Sequence, residues 1–276
     1  MTSDDGIISK MQKETGLKYA DRAKGLGARA SDILADTSTK YALFLDVDGT
    51  LLDIAATPDS VVVPEGLAKL LGRLSEGLDG ALAIITGRRL QDIDTLLAPE
   101  KLVGAGVHGA QLRTTPSGAI TSVAAPISEA IVAKLTRLVE QWPGVFIELK
   151  GPGLAIHYRQ APALEAEVIS ALRSHLASHA NDLVILPGKK LFEVIPAGYS
   201  KGKVLATLAA LPSFQNRVPI MIGDDVGDEP AFKAAEQMSG HALKVAGEHF
   251  GHQGVDLEGP AGVLTWLKGF AKRFDA

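Results

Sequence analysis

Tyr41-Ala42-Leu43-Phe44-Leu45-Asp46-Val47-Asp48-Gly49-Thr50-Leu51 is the stretch whose reading decides the fold. Its first five residues form a short, continuous apolar run, the pattern of a strand covered on both faces, and the run ends in two carboxylates one residue apart. After Pro64 a helical pattern follows (Leu67, Leu70, Leu71, Leu74), then the apolar run Ala81-Leu82-Ala83-Ile84-Ile85, then a second helical pattern through Leu90, Ile93, Leu96 and Leu97. Strand, helix, strand, helix predicts a parallel α/β sheet covered on both faces. The signature returns near the end of the chain: a helix from about Gly202 to Leu211, a strand over Val218–Ile222, a helix near Glu229 to Gln237, a short strand over Ala242–Val245, and a closing helix from about Pro260 to Phe274.

Between these halves the pattern changes. From Gln111 to Pro196, helical stretches (Ser128–Gln141 and Ala163–Ser178) alternate with strand-like ones (Val145–Lys150, Leu154–Tyr158, Leu183–Leu186, Leu191–Ile195). The pair joined by Gly151-Pro152-Gly153 must be antiparallel. Residues 111–196 are therefore expected to form an inserted α+β cap domain on an α/β core built from 40–110 and 197–276. Residues 1–39, rich in Lys, Asp, Ala and Gly and without a strong apolar face, read as a flexible or loosely helical leader that catalysis does not need.

Composition narrows the function classes. Lys plus Arg total 28 against 32 Asp plus Glu, a formal net charge of -4, with no long block of one sign. A nucleic-acid footprint would need clustered basic residues, so nucleic acid is not expected as a partner. The chain has no cysteine, which excludes disulfides and thiolate metal sites and suits a reducing cytoplasm. No apolar run approaches the roughly 20 residues of a spanning helix, and the first residues lack a signal-peptide pattern, so a cytoplasmic setting without membrane contact is expected.

The chemistry lies at the strand ends. Ligands of parallel α/β sheets bind beyond the carboxyl ends of the strands. Asp46 and Asp48 leave one such end, Thr86-Gly87-Arg88 a second and Gly223-Asp224-Asp225 a third. Carboxylates gathered there repel one another unless a cation sits among them, and Mg2+, which takes hard oxygen ligands and keeps phosphate company, is the cation expected. A carboxylate can attack phosphorus, and a second, protonated one can serve the leaving oxygen and later the attacking water. A threonine hydroxyl, backbone N–H groups and a lysine would complete a phosphoryl-transfer site. Each piece alone has a plainer reading: Asp-x-Asp as a turn or cap, Thr-Gly as a strand-to-helix turn, Gly-Asp-Asp as a solvated turn, Lys201 as a surface lysine. Their order along the chain, each at a strand end or helix start, favours the site.

That order resembles the haloacid dehalogenase-like phosphatases, over nearly all of the chain after residue 40. Asp46-Val47-Asp48-Gly49-Thr50-Leu51 matches the first motif of that superfamily, Thr86 the second, Lys201 in Ser200-Lys201-Gly202 the third, and Gly223-Asp224-Asp225-Val226-Gly227-Asp228-Glu229 the fourth. The resemblance implies a Rossmann-like core with a cap, Asp46 as nucleophile and Asp48 as acid/base. It also implies Mg2+ held by Asp46, Asp224 and the backbone carbonyl of Asp48, with Asp228 assisting through water, and phosphate held by Thr86 and Lys201. Thr86-Gly87-Arg88, Val107-His108-Gly109, Glu148-Leu149-Lys150, His157-Tyr158-Arg159 and Gly188-Lys189 leading to Glu193 are more narrowly similar to the trehalose-6-phosphate phosphatase family. Two departures stand out: Val107 where glutamate is usual before His-Gly, and Gly227 where threonine is usual before Asp-Glu.

By that resemblance the substrate is a small sugar phosphate, trehalose 6-phosphate. Gly49, Thr50, Gly87, Arg88 and His108 join the substrate-binding group on the core side, and Glu148, Lys150, Glu193 and Arg113 serve the distal sugar. Glu148 and Lys150 also read as a solvated pair on one strand face, and His157 with Arg159 as an exposed one. The competing functions are a phosphatase for sucrose phosphate or mannosyl-phosphoglycerate, a mutase, and a catalytically silent regulatory relative; a silent relative would be expected to lose Asp46 or Asp48. The chain is expected to act as a monomer or small homo-oligomer, its cap swinging on connections near Leu112 and Pro196-Ala197-Gly198.

Overall fold

The computed structural model describes residues 26–55 and 60–275. β1 (Tyr41–Leu45), β2 (Leu82–Ile85), β3 (Val103–Gly106), β10 (Val218–Gly223) and β11 (His241–Lys244) form the parallel part of a seven-stranded sheet. Its spatial order is β11-β10-β1-β2-β3-β4-β5, with the short β4 (Gln111–Arg113) and β5 (Thr121–Ser122) added antiparallel at one edge. Every residue of β1 is buried, as its unbroken apolar run requires for a strand covered on both faces. The helices that cover the sheet do so with apolar faces: α2 (Leu67–Gly77) buries Leu67, Leu71 and Leu74, and α8 (Gly259–Ala271) buries Val263, Trp266, Leu267 and Phe270.

The chain runs outward from β1 to β2 and β3 on one side and to β10 and β11 on the other. Strand order therefore reverses at β1, and the crevice beyond its carboxyl end is where an open α/β sheet binds its ligand. Asp46 is the first residue past that end.

A second, four-stranded antiparallel sheet has the order β6-β7-β9-β8, from β6 (Phe146–Leu149), β7 (Leu154–His157), β8 (Leu183–Gly188) and β9 (Leu191–Pro196). With α4 (Glu129–Val139) and α5 (Glu165–Leu176) it encloses its own apolar cluster, including Leu135, Leu154, Ile156, Val168, Leu172 and Val194. The architecture is the α/β core with an inserted α+β cap.

Two expectations about boundaries need correction. Gln111–Arg113 and Thr121–Ser122 hydrogen-bond to the core sheet, so the stretch after residue 110 first extends the core, and Leu112 lies inside a strand and not at a hinge. The return connection does carry a conformationally free glycine, Gly198 at φ +92° with open space around it. The leader is also not loose throughout. Its first 25 residues lie outside the described ones, but α1 (Ala28–Ala35) buries Ala30 and Ile33 against α8, and Trp266 Nε1 donates to the Ala30 carbonyl at 2.9 Å. No helix among the described residues is long and apolar enough to cross a membrane.

Candidate active site

Asp46 is almost wholly buried just past β1. Its Oδ1 accepts from Lys201 Nζ at 2.7 Å, and Lys201, the first residue of α6 (Lys201–Ala209), gives a second bond to Asp228 Oδ1 at 2.6 Å. Asp228 Oδ2 accepts the backbone N–H groups of Asp224 and Asp225, both at 3.0 Å, which fixes the loop leading from β10 into α7 (Glu229–Gln237). Carboxylate oxygens of Asp46, Asp224 and Asp228 all lie within 4.8 Å of one another. Burial, backed by the Asp228 carboxylate and outweighing Lys201, pushes the Asp46 carboxyl up to about 8. Burial also raises Asp224, against the pull of Lys189. Burial works to lower Lys201, but Asp228 and Asp46 outweigh it and hold the ammonium charged. Three buried hard oxygen donors that repel one another suit a small divalent cation.

Asp48 is half-exposed and gripped by Arg88 in a two-point fork, Nε to Oδ2 at 2.7 Å and Nη2 to Oδ1 at 2.8 Å. Thr86, buried at the end of β2, accepts the Arg88 backbone N–H on its hydroxyl at 3.1 Å. These residues open into a cleft of about 530 Å³ whose other wall is the cap, lined by Glu148, Lys150, His157, Arg159, Lys189 and Glu193.

On the cap wall Lys150 Nζ donates to Glu193 Oε1 at 2.7 Å and to the Gly87 carbonyl of the core at 3.1 Å, while Glu193 Oε2 meets His108 Nε2. Burial works to raise Glu193, but His108 and Lys150 outweigh it and hold the carboxyl well below the usual range. Glu148 Oε2 pairs with His157 Nε2 at 2.9 Å. The solvated-pair reading of Glu148 and Lys150 does not hold for Lys150, nor the exposed-face reading for His157, because both are buried in this network. Val107 and His108 are non-glycine residues at φ +48° and +54°, a left-handed turn that aims the imidazole across the cleft. Gly87 makes room for it: a Cβ there would stand 2.8 Å from His108 Nε2 and 3.1 Å from the Glu193 oxygens.

The structure thus brings Asp46, Asp48, Thr86, Gly87, Arg88, His108, Glu148, Lys150, Glu193 and Lys201 together around one cleft, with Asp224 and Asp228 beside Asp46. Three predicted substrate residues are placed otherwise. Thr50 is fully buried, its hydroxyl bridging Asp46 Oδ2 and Asp224 Oδ1 at 3.3 Å each, so it braces the acidic cluster. The Gly49 N–H is already given to the Leu52 carbonyl at 2.7 Å. Arg113 lies in the edge of the core sheet, paired with Asp94 at 2.7 Å through Nη1 and donating to the carbonyls of Leu102 and Gly118. It lines no part of the cleft, because these bonds turn its guanidinium to Asp94 at the edge of the core sheet. Lys189, quoted with Gly188 for the resemblance but given no role there, sits in the β8–β9 turn and reaches Asp224 across the cleft.

The Trehalose-phosphatase family profile matches residues 44–255. The chain belongs to the trehalose-phosphatase family. Within that family it is similar to a probable trehalose-phosphate phosphatase of Sinorhizobium fredii, 40% identical over 239 residues, which cover 85% of this chain and 88% of that protein. The trehalose-6-phosphate phosphatase of Escherichia coli K12 is 36% identical over 235 residues, 84% and 87% of the two chains. Among solved structures, the C-terminal domain of C. albicans trehalose-6-phosphate phosphatase shares the fold at a TM-score of 0.77 and 22% identity, covering 90% of this chain and 98% of that one. The fold is shared with a haloacid dehalogenase-like hydrolase from B. subtilis, at a TM-score of 0.59 and 17% identity, covering 82% of this chain and 98% of that one.

Proposed function

We propose that this protein hydrolyses trehalose 6-phosphate to trehalose and inorganic phosphate, with Asp46 carrying the phosphoryl group between two displacements and Mg2+ as cofactor. The observation that carries the reading is the placement of the Asp46, Lys201 and Asp224 cluster at one end of a cleft whose other wall is the hydrogen-bonding cap network of Glu148, Lys150 and Glu193. The names of the similar proteins point to the same substrate.

Asp46, Asp224 and the Asp48 carbonyl would hold the metal, with Asp228 in reach through water; these are hard oxygens, and the carboxylates of Asp46, Asp224 and Asp228 are gathered closely enough to share one ion. When bound, Mg2+ supplies positive charge to the phosphoryl oxygens. Lys201 adds its own charge there and keeps Asp46 aimed. An Asp46 oxygen forms the new bond to phosphorus as the bond from phosphorus to the sugar oxygen breaks, and Asp48 gives its proton to that oxygen. Water then attacks phosphorus, passing its proton back to Asp48 and restoring the Asp46 carboxylate. The Arg88 fork holds the Asp48 side chain pointed into the cleft, where the leaving oxygen and then the attacking water would meet it.

Phosphate release from trehalose 6-phosphate, glucose 6-phosphate and sucrose 6-phosphate in the presence of Mg2+ tests the proposal. A clear preference for trehalose 6-phosphate, abolished in Asp46→Asn, is expected. Equal or reversed preference would overturn the substrate, and full activity in Asp46→Asn would overturn the mechanism.

A further inference from the structure

Lys189 and Lys190 form the turn between β8 and β9 of the cap. Lys190 turns outward, its ammonium 3.9 Å from Glu165. Lys189 reaches instead across the cleft, where its Nζ bonds Asp224 Oδ2 and lies 3.4 Å from the Asp48 backbone carbonyl. Its side chain is only 11% exposed. The two oxygens it holds are two of the three that the proposed function gives to the divalent cation, and the role of Lys189 rests on that assignment. The backbone is shaped for the contact: Gly49, at φ +89°, lies against both Asp224 Oδ2 and Lys189 Nζ so closely that a Cβ would run into each.

An ammonium set between Asp224 Oδ2 and the Asp48 carbonyl stands where a cation shared by those two oxygens would sit, and like charges repel strongly at such separations, so the two do not hold that place together. We propose that Lys189 competes directly with the divalent cation for Asp224 and the Asp48 carbonyl, so that metal loading expels the ammonium and releases a cap-to-core link. Two further polar links, Glu193 to His108 and Lys150 to the Gly87 carbonyl, lie on the sugar side of the cleft. Cation binding and the Lys189 link are therefore antagonists: cation loosens the cap at its phosphate end, and removal of Lys189 strengthens cation binding. Lys189 acts as a positioning residue that couples metal loading to access.

The test is made on the full chain without substrate, with Mn2+ as probe and the free ion followed by electron paramagnetic resonance. Lys189→Met is expected to bind Mn2+ about tenfold more tightly than the unsubstituted protein, the scale of one charge-assisted hydrogen bond lost by the competitor. Lys190→Met is expected to leave the affinity unchanged. A second measurement needs no variant: acylation of Lys189 by an amine-reactive ester, quantified by mass spectrometry against Lys190, is expected to rise severalfold on addition of Mg2+. Equal Mn2+ affinity with and without Lys189, or a Lys189 reactivity that Mg2+ leaves unchanged, overturns the proposal while leaving the metal site standing. No measurable Mn2+ binding to either protein would overturn the metal assignment and the proposal together.

Discussion

Replacing Glu193 by glutamine isolates what the cap contributes. Glu193 is buried on β9, accepts from Lys150 at 2.7 Å and meets His108 with its other oxygen. Glutamine keeps the volume and one acceptor but removes the charge. Lys150, itself buried, then meets at most a neutral acceptor there, with Glu148 as its remaining carboxylate at 4.0 Å and the Gly87 carbonyl at 3.1 Å. One hydrogen bond to a charged group contributes about 1.5–3 kcal/mol, so losing one to a sugar hydroxyl in the transition state lowers kcat/KM for trehalose 6-phosphate roughly 10- to 150-fold. Hydrolysis of p-nitrophenyl phosphate, which has no sugar to reach the cap, should stay within about twofold, because the groups around phosphorus are untouched. The ratio of the two rates is the assay; an equal fall on both substrates, or none on the disaccharide, would refute the assignment of Glu193 to the sugar. Stability provides a second check. Because the folded carboxyl lies below its ordinary value of 4.5, its stabilising contribution is fully present above that value and is lost as pH falls through the folded one. The deficit of Glu193→Gln in urea unfolding, about 2–3 kcal/mol near neutral pH, should shrink on acidification. A deficit that grew would refute the charge argument.

Asp46→Asn should abolish turnover and, in chelator, unfold at a higher temperature than the parent. The Asp46 carboxyl is raised from 3.8 to about 8, so the folded protein binds the extra proton in that window and the parent loses stability as pH rises through it. Fluorimetric melting should show the gap widening from acid to neutral pH, and a constant gap would sink the reasoning. Arg113→Ala breaks the buried pair with Asp94 and should cost about 3–5 kcal/mol in denaturant unfolding while leaving KM for trehalose 6-phosphate unchanged. Arg88→Met frees Asp48 from its fork and should lower kcat on both substrates alike; a loss confined to the disaccharide would place Arg88 on the sugar instead.

Much of the core was legible because its strands are buried on both faces and announce themselves as unbroken apolar runs. Tyr41–Leu45 and Val218–Ile222 are of this kind, and both end in the acidic residues that the chemistry needs. β3 was not legible, since Gly104 and Gly106 interrupt its run. The glycines are there because a Cβ at Gly104 would lie 2.8 Å from the Ile84 carbonyl and one at Gly106 2.7 Å from that of Arg88, a constraint set by β2 and the connection that follows it and invisible locally. The packing of α1, read only as part of a flexible or loosely helical leader, was not legible for a related reason: its alanines give little apolar signal, and it packs against Trp266, more than two hundred residues away. Arg113 was misplaced because position after the second motif suggested the cap, whereas pairing with β3 decides where it sits. Lys189 was quoted for the resemblance without a role, because reach across a cleft is a property of two sheets facing each other, which no single segment encodes.

The two sheets keep separate apolar interiors, one built around Leu43, Phe44 and Trp266 and the other around Leu135, Ile156 and Leu172. Glu148, Lys150 and Glu193 are carried on strands of the second, or just beyond one, while the groups that handle phosphorus hang from the first. Such an arrangement lets lineages exchange one recognition surface for another while inheriting the hydrolytic engine unchanged. A combinatorial library confined to the cleft-facing positions of β6, β7 and β9 would sample that same route in the laboratory, searching for enzymes that accept other phosphorylated sugars.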